Sequence, residues 1–271
     1  MSDDSTSFDP KTYWEDRLKR HAGIEGVGFL RLGLPYNKWL YRFRRNVFQN
    51  IVSRLNVDIR TSRVLDIGSG TGFYLELWKE NQAEQVIGSD LTEVAVQRLQ
   101  QQFADMRIMQ MDITNPELPS DLGDFDIISM FDVLFHIVDD NKLRQALTNI
   151  HSLLKPDGVF VFSDNFVHRE TQTMQHVVHR SLGEYESMLA DVGFEIVERK
   201  PMFILMNYPC DAGKLFQSAW KASMLPIVIC KPLGGLIGAL MYPLEKALVG
   251  LCNESPTTEY MICRKRVAPG T

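Results

Sequence analysis

Asp66 stands two residues before Gly68, and Gly70 and Gly72 follow at alternate positions. Glycine has no Cβ, so a turn built from three of them brings backbone close to a bound group. The pattern becomes helical from Phe73, and the start of a helix offers N–H groups that lack intrahelical partners. The chemistry of such a turn is to cradle a ligand. A dinucleotide site would space its glycines G-x-G-x-x-G. Here the spacing is G-x-G-x-G with a carboxylate beside it. That carboxylate repels a pyrophosphate and suits a cation, such as the amino group of an amino acid. Asp90, Asp112, Asp132 and Asp164 follow, each just after an apolar run. His136 lies four residues beyond Asp132, and its ordinary pKa makes it the natural proton acceptor among them.

These residues need strands that end where they begin. Val64, Leu65 and Ile67 read as a short buried strand. Gln85–Asp90, Met106–Met111 and Phe125–Phe131 read as the next three. Thr92 is placed to cap a helix running to Phe103. Lys142–Leu154 reads as an amphipathic helix stopped by the turn Lys155–Gly158, with Val159–Phe162 as the fifth strand. Glu184–Val192 reads as a helix, and Phe194–Leu205 and Thr258–Lys265 as the last strands. Strand and helix alternate through residues 63–200, which argues an α/β doubly wound, mostly parallel sheet. Ahead of it come a short helix around Tyr13, Trp14 and Leu18, a glycine-bearing loop over 23–33, and a longer amphipathic helix from Pro35 to Leu55.

The stretch Asp66-Ile-Gly-Ser-Gly-Thr-Gly72 resembles motif I of the class I S-adenosylmethionine-dependent methyltransferases, and Val133-Leu-Phe-His136 resembles a segment of their small-molecule members. The resemblance implies a Rossmann-like sheet with a seventh, antiparallel strand, and it covers residues 60–200. It implies S-adenosylmethionine as cofactor, held by Asp66, Gly68, Ser69, Gly70 and Gly72. Asp90 is implied to take both ribose hydroxyls, with Leu91 beside the adenine. Asp112 and Ile113 are implied to meet the adenine amine and ring, and Met130 and Phe131 to face the methionine part. His136, Asp132 and Asp164 are the catalytic candidates for activating an acceptor hydroxyl. N-terminal helices cover the cofactor in many such proteins, which makes Tyr13, Trp14 and Tyr36 candidates for substrate contact. Arg42 is the cation assigned to an anionic acceptor group, and His168 is a weaker acceptor contact. A plain core role is open for each of these aromatics.

The expected division is a helical lid over 1–60, a cofactor-binding core over 61–205, an insertion over 206–257 and a last strand with tail over 258–271, all one structural domain. The sixth strand runs parallel to the others, so the insertion leaves from the cofactor rim, where Asn207 and Tyr208 become substrate contacts. The insertion and residues 165–181 are expected to be helical lids. Residues 224–252 are apolar and broken by prolines, too short for a span; lid core, dimer interface and membrane-surface contact stay open.

The formal charge of −5 argues against a broad nucleic-acid footprint. Residues 131–134 also lack the Asn- or Asp-Pro-Pro-aromatic tetrad of nucleic-acid N-methylation. Four cysteines without a C-x-x-C read as buried thiols, and His176 and His179, with no companion ligand, do not read as a metal site. The N-terminus lacks an apolar signal core, which reads as a cytoplasmic protein, membrane-associated if the insertion binds lipid, with residues 1–9 a disordered tip. A sugar-like or other hydroxylated small molecule is the first acceptor expected. A lipid or quinone at a membrane surface is the second, and a catalytically silent cofactor-binding protein is a third reading.

Overall fold

The computed structural model describes residues 8–174 and 176–266. The reading of residues 1–7 as a disordered tip lies outside them. Asp9, assigned to the same tip, instead caps the first helix α1 (Pro10–Arg20), accepting from the amides of Lys11 and Thr12. The stretch read as loop then forms a one-turn helix, α2 (Ile24–Val27), and a 3₁₀ turn over Leu30–Leu32. Buried Asn37 organises this turn. Its amide nitrogen donates to the carbonyls of Phe29 and Gly33, and its oxygen accepts from the Phe29 amide. It stands on α3 (Gly33–Val52), whose inward stripe of Tyr36, Leu40, Phe43, Val47, Phe48 and Ile51 has the 3–4 residue spacing of a helix face.

The core then alternates strand and helix: β1 (Arg63–Ile67), α4 (Phe73–Glu80), β2 (Gln85–Asp90), α5 (Glu93–Gln102), β3 (Arg107–Gln110), β4 (Phe125–Phe131), α6 (Asp140–Leu153) and β5 (Leu154–Asp164). The turn read at Lys155–Gly158 is an excursion within β5. Leu154 pairs with Phe125 and Val159 with Ile127, so four residues on β5, Lys155 to Gly158, stand against Asp126 alone on β4. None of the described residues of 165–181 is helical. They carry a small antiparallel hairpin, β6 (Gln172–Met174) and β7 (Val177–His179). β-Branched Val177 and Val178 favour that pairing over a helix. Next come α7 (Leu182–Val192), opened by a capping box between Ser181 and Glu184, and β8 (Phe194–Pro201). The insertion folds as two helices, α8 (Lys214–Ile229) and α9 (Leu233–Leu251), before β9 (Glu259–Lys265).

The sheet order is β3-β2-β1-β4-β5-β9-β8. β9 is antiparallel to both neighbours, which leaves β8 parallel to β5. Successive strand residues face opposite sides. Val64, Ile127 and Val159 pack with α3 and α4, while Leu65, Ile128 and Phe160 pack with α6 and α7. Burial on both faces explains the nearly unbroken apolar runs of β1, β4 and β5. The order reverses between β1 and β4, so a crevice opens beyond their C-terminal ends.

All four cysteines are free, but Cys230 is exposed, contrary to the reading of buried thiols. Among the described residues, no helix is long and apolar enough to cross a membrane, and no cluster of His, Cys, Asp and Glu could hold a metal.

Candidate active site

The glycine turn joins β1 to α4. Gly68, Gly70 and Gly72 have φ of 74°, 53° and 81°, the left-handed region that glycine enters without strain. A side chain at Gly68 would also strike Val133, at 2.4 Å from Cγ2. Asp66 lies beneath the turn, buried. Its carboxylate accepts from Ser129 Oγ (2.6 Å) and Ser69 Oγ (2.9 Å), and Trp78 Nε1 donates to the same Ser129 oxygen (2.9 Å). Burial pushes the Asp66 carboxyl up to about 7, against the two hydroxyls that favour its charge.

Asp90 ends β2, one βα unit later. Its Oδ2 accepts from the Gly70 amide (2.9 Å), and its Oδ1 accepts from both the amide and the hydroxyl of Thr92 (2.9 and 2.7 Å). Thr92 sits at the N-cap position of α5 but spends its side chain on Asp90, not on the helix. A carboxylate has about four acceptor positions. Three are used, leaving room on Oδ2 for one ribose hydroxyl, where two were expected. The open position, the glycine turn and the first amides of α4 fit an adenosyl amino acid.

The remaining cofactor candidates divide. Leu91 is half-exposed beside Asp90, and Ile113 is buried. Asp112 accepts from the amide and hydroxyl of Thr114 (2.9 and 2.7 Å) and so also serves as a turn residue. Phe131 stacks on Tyr74, centroids 4.1 Å apart. Met130 instead points into the core with Leu65, Ile128 and Met261, because strand alternation sends it to the face opposite Phe131.

The N-terminal helices lie over the turn. Glu15 accepts from the Glu93 amide at the start of α5 (2.9 Å), Arg98 donates to the Leu18 carbonyl (2.6 Å), and Val27 reaches Gly70. Trp14 meets His136 edge-on, centroids 4.8 Å apart, and Tyr13 stacks on His176 at 5.0 Å. The structure therefore brings Tyr13, Trp14 and His136 together. His136 Nδ1 lies 2.9 Å from the His176 carbonyl. A carbonyl only accepts, so Nδ1 carries the proton and Nε2 keeps a lone pair. Burial pushes the ring down to about 4, leaving it neutral at ordinary pH.

Asp132 follows β4 with a left-handed φ of 57°. Ser163 Oγ accepts its amide (3.0 Å) and donates to its Oδ1 (2.9 Å), and Arg44 forms an ion pair with its Oδ2. The sequence reading leaves Lys38, Arg42, Arg44 and Arg45 open to an anion and carries Arg42 forward; it does not pair Arg44 with Asp132. Arg42 packs on the rings of Trp39 and Tyr242, on the outer α3–α9 seam. Arg44 shares the buried stripe of Leu40, Val47 and Ile51. An arginine at helical spacing within an apolar stripe was the available signal.

Asp164 is fully buried, bonded by the Tyr185 hydroxyl and the Asn165 amide (2.6 Å). It touches no open space, which removes it as a direct proton acceptor. Burial pushes it up to about 7. Relative to the unfolded value of 3.8, a raised carboxyl favours folding below about pH 4, and that contribution is lost as pH rises through 7. Asp164→Asn removes the titration; its amide oxygen can accept from the Asn165 N–H while its NH2 donates to the Tyr185 oxygen, reversing that bond. Relative to wild type, the variant should gain on the order of 2 kcal/mol of unfolding free energy between pH 5 and pH 8, read by urea titration. An unchanged difference would mean the carboxyl is not perturbed.

The other acceptor candidates lie apart from the crevice or are enclosed. Tyr36 is buried, its hydroxyl donating to the Met206 carbonyl (2.8 Å). His168 pairs with Asp211 (2.8 Å) at the surface. Tyr208 donates to Gln217 (3.1 Å) and packs on Trp220, within α8's own environment. Asn207 joins a relay that sequence gave no hint of: Asn207 Nδ2 donates to Thr258 Oγ1 (2.5 Å), which donates to Asn165 Oδ1 (2.8 Å). Asn165 Nδ2 lies 3.4 Å from His179 Nε2. His179 Nδ1 is buried without a partner among the described residues.

Residues 39–199 match the model of a methyltransferase-domain family. A methyltransferase-type protein of Geobacillus sp. (strain WCH70) is 26% identical over 184 residues, 66% of this chain and 65% of that protein. An mRNA cap guanine-N(7) methyltransferase of Caenorhabditis elegans is 24% identical over 198 residues, 65% of this chain and 50% of that protein. The chain thus spans from half to just under two thirds of the length of these relatives. Among solved structures, magnesium protoporphyrin IX methyltransferase from Synechocystis PCC 6803 with bound S-adenosylmethionine superposes with a TM-score of 0.57 at 16% identity, covering 97% of this chain and 100% of that one. With the family match spanning more than half of its length, the chain belongs to the class I S-adenosylmethionine-dependent methyltransferases.

Proposed function

We propose that the chain methylates a hydroxyl of a small, polar, sugar-like acceptor, with His136 as the proton acceptor. The observation that carries this reading is the His136–His176 contact, which puts the proton on Nδ1 and leaves Nε2 a lone pair, in a ring that packs against Trp14. S-adenosylmethionine supplies an electrophilic methyl group when bound. The glycine turn with Ser69, Asp90, Leu91, Asp112 and Ile113 would hold it, and Asp66 would balance its ammonium through the turn. Phe131, with Tyr74 stacked on it, would line the methionine side.

The chain's own contribution is orientation, exclusion of water and removal of one proton. Positioning two reactants accounts for much of the acceleration in a displacement of this kind. Arg44 and Ser163 hold Asp132 rigidly, which supports a role for Asp132 in orienting the acceptor by accepting a hydrogen bond from it. Of the 1–60 region, the described residues 8–60 act as a lid over the 61–205 core: Trp14 and Tyr13 wall the acceptor side, and Val27 closes on the cradle. The relay from Asn207 to Asn165 lies near the ends of β5 and β9 and supports further polar contact there.

A second reading, a lipid or quinone acceptor, is favoured by the exposed apolar side chains of α8 and α9. Transfer of labelled methyl from S-adenosylmethionine separates the readings. Sugars and nucleotide sugars should be labelled at oxygen, ahead of hydroquinones and of capped RNA. Label appearing only in the RNA arm would overturn the small-molecule proposal.

A further inference from the structure

The α8–α9 hairpin is apolar on more than one side. One side is used internally. Gly234 and Gly238 let α9 press against α3: a Cβ on either would come within 2.9 Å of Tyr36 Cβ or 2.6 Å of Trp39 Cδ1. Buried Glu245 accepts the amides of Ile204 (2.7 Å) and Leu205 (2.8 Å), tying α9 to the end of β8. The hairpin is therefore fixed on the body.

The outward side is a second apolar surface. On α9, Leu233, Leu236, Leu240, Leu244 and Leu251 recur at intervals of three, four, four and seven, one helical stripe. Leu240 and Leu251 are 68% and 80% exposed, and on α8 Leu215 and Ile229 are 86% and 78% exposed. Among the described residues, ten of the thirteen exposed large hydrophobic side chains fall on these two helices, so the pattern is a patch and not scatter. The charges around it have one sign. Between Gly213 and Cys252 the cations are Lys214, Lys221, Lys231 and Lys246, and the single acid, Glu245, is buried. The adjoining part of α3 exposes Leu34, Lys38 and Arg42. The whole chain is nevertheless acidic, at −5.

We propose that the outward face of α8 and α9 docks on an anionic lipid surface. A two-fold contact between copies would set this face against itself, lysine facing lysine with no exposed acid to pair. Anionic headgroups can meet the exposed Lys214 and Lys246, while the leucine stripe enters the acyl boundary; Lys231 is engaged by the Arg31 carbonyl and Lys221 lies over the Tyr208 ring. Neither helix is long and apolar enough to cross, so both lie in the interface plane. This inference does not depend on which acceptor the enzyme uses.

Co-sedimentation with vesicles tests it, using phosphatidylcholine alone and with phosphatidylserine at about a third of the lipid. The full chain should pellet with the anionic vesicles, and raised salt should weaken the binding. Leu236→Glu/Leu240→Glu/Leu244→Glu alters only exposed positions. It should lower vesicle affinity by at least an order of magnitude while leaving the thermal midpoint and S-adenosylmethionine binding unchanged. Lys214→Glu/Lys246→Glu should weaken anionic binding and leave neutral vesicles unaffected. No pelleting, or pelleting indifferent to the leucine changes, overturns the proposal. So does a dimer in sedimentation equilibrium that the leucine variant dissociates without any vesicle binding.

Discussion

Asp90→Ala should weaken S-adenosylmethionine binding by about 10- to 150-fold, measured by calorimetric titration. A hydrogen bond to a charged group contributes roughly 1.5–3 kcal/mol, and each 1.4 kcal/mol is tenfold in affinity. The loss has two parts. The open position on Oδ2 disappears, and with it the proposed ribose contact. The Gly70 amide also loses its acceptor, so the turn that presents the cradle is no longer tied to β2. Thr92 is left with two unpaired donors, which costs stability of about 1–3 kcal/mol. A thermal midpoint on the same sample separates that cost from the binding loss. Asp90→Asn is the sharper companion. Its amide oxygen can satisfy either the Gly70 side or the Thr92 side, not both, so it should bind weakly too. Wild-type affinity in both variants, with intact folding, would remove Asp90 from the cofactor site.

The parallel core was legible because its strands are buried on both faces and its punctuation is local. Gln85–Asp90 and Phe125–Phe131 end where their apolar runs end, and the glycines announce the turn between β1 and α4. Segments that owe their shape to long-range contacts were less legible. The 23–33 stretch looks like a loop by composition, but Asn37, on the following helix, folds it into turns. Residues 165–181 carry three histidines and no clear period; their hairpin is fixed by contacts such as Val167 with Ser181 and His136 with the His176 carbonyl. The glycine turn and the acid ending β2 could be read because they follow strand order. On the other side of the site Trp14, His136 and Asn207 could be named singly, but not that Trp14 meets His136, that Arg44 pairs with Asp132 or that Asn207 reaches Asn165 through Thr258, because these residues come from segments joined only by the fold. Met130 shows a smaller failure of the same kind: adjacent strand residues face opposite layers, so Phe131 packs with α3 and α4 and Met130 with the α6–α7 side.

His136→Asn should lower kcat by about 10²- to 10⁴-fold and leave S-adenosylmethionine affinity unchanged. Asparagine can place its amide N–H where Nδ1 stood, keeping the donor to the His176 carbonyl while deleting the Nε2 lone pair. A ring with a pKa of about 4 is a weak base at equilibrium. It suffices here because the proton need not leave first. An acceptor hydroxyl that takes up a methyl group would hold a proton far more acidic than the imidazolium proposed to receive it. The sign of the pH dependence follows. His136 must be neutral to act, and burial keeps it so above about pH 5. The rate should therefore be nearly flat from pH 5.5 to 8, with no acidic limb near the ordinary histidine value of 6.5. An acidic limb near 7 would instead point to the raised Asp164 carboxyl, acting through Tyr185 or a rearranged pocket. A limb near 7 that vanishes in Asp164→Asn, together with an active His136→Asn, would transfer the base to that buried pair and retire His136 to the wall that Trp14 and Tyr13 build.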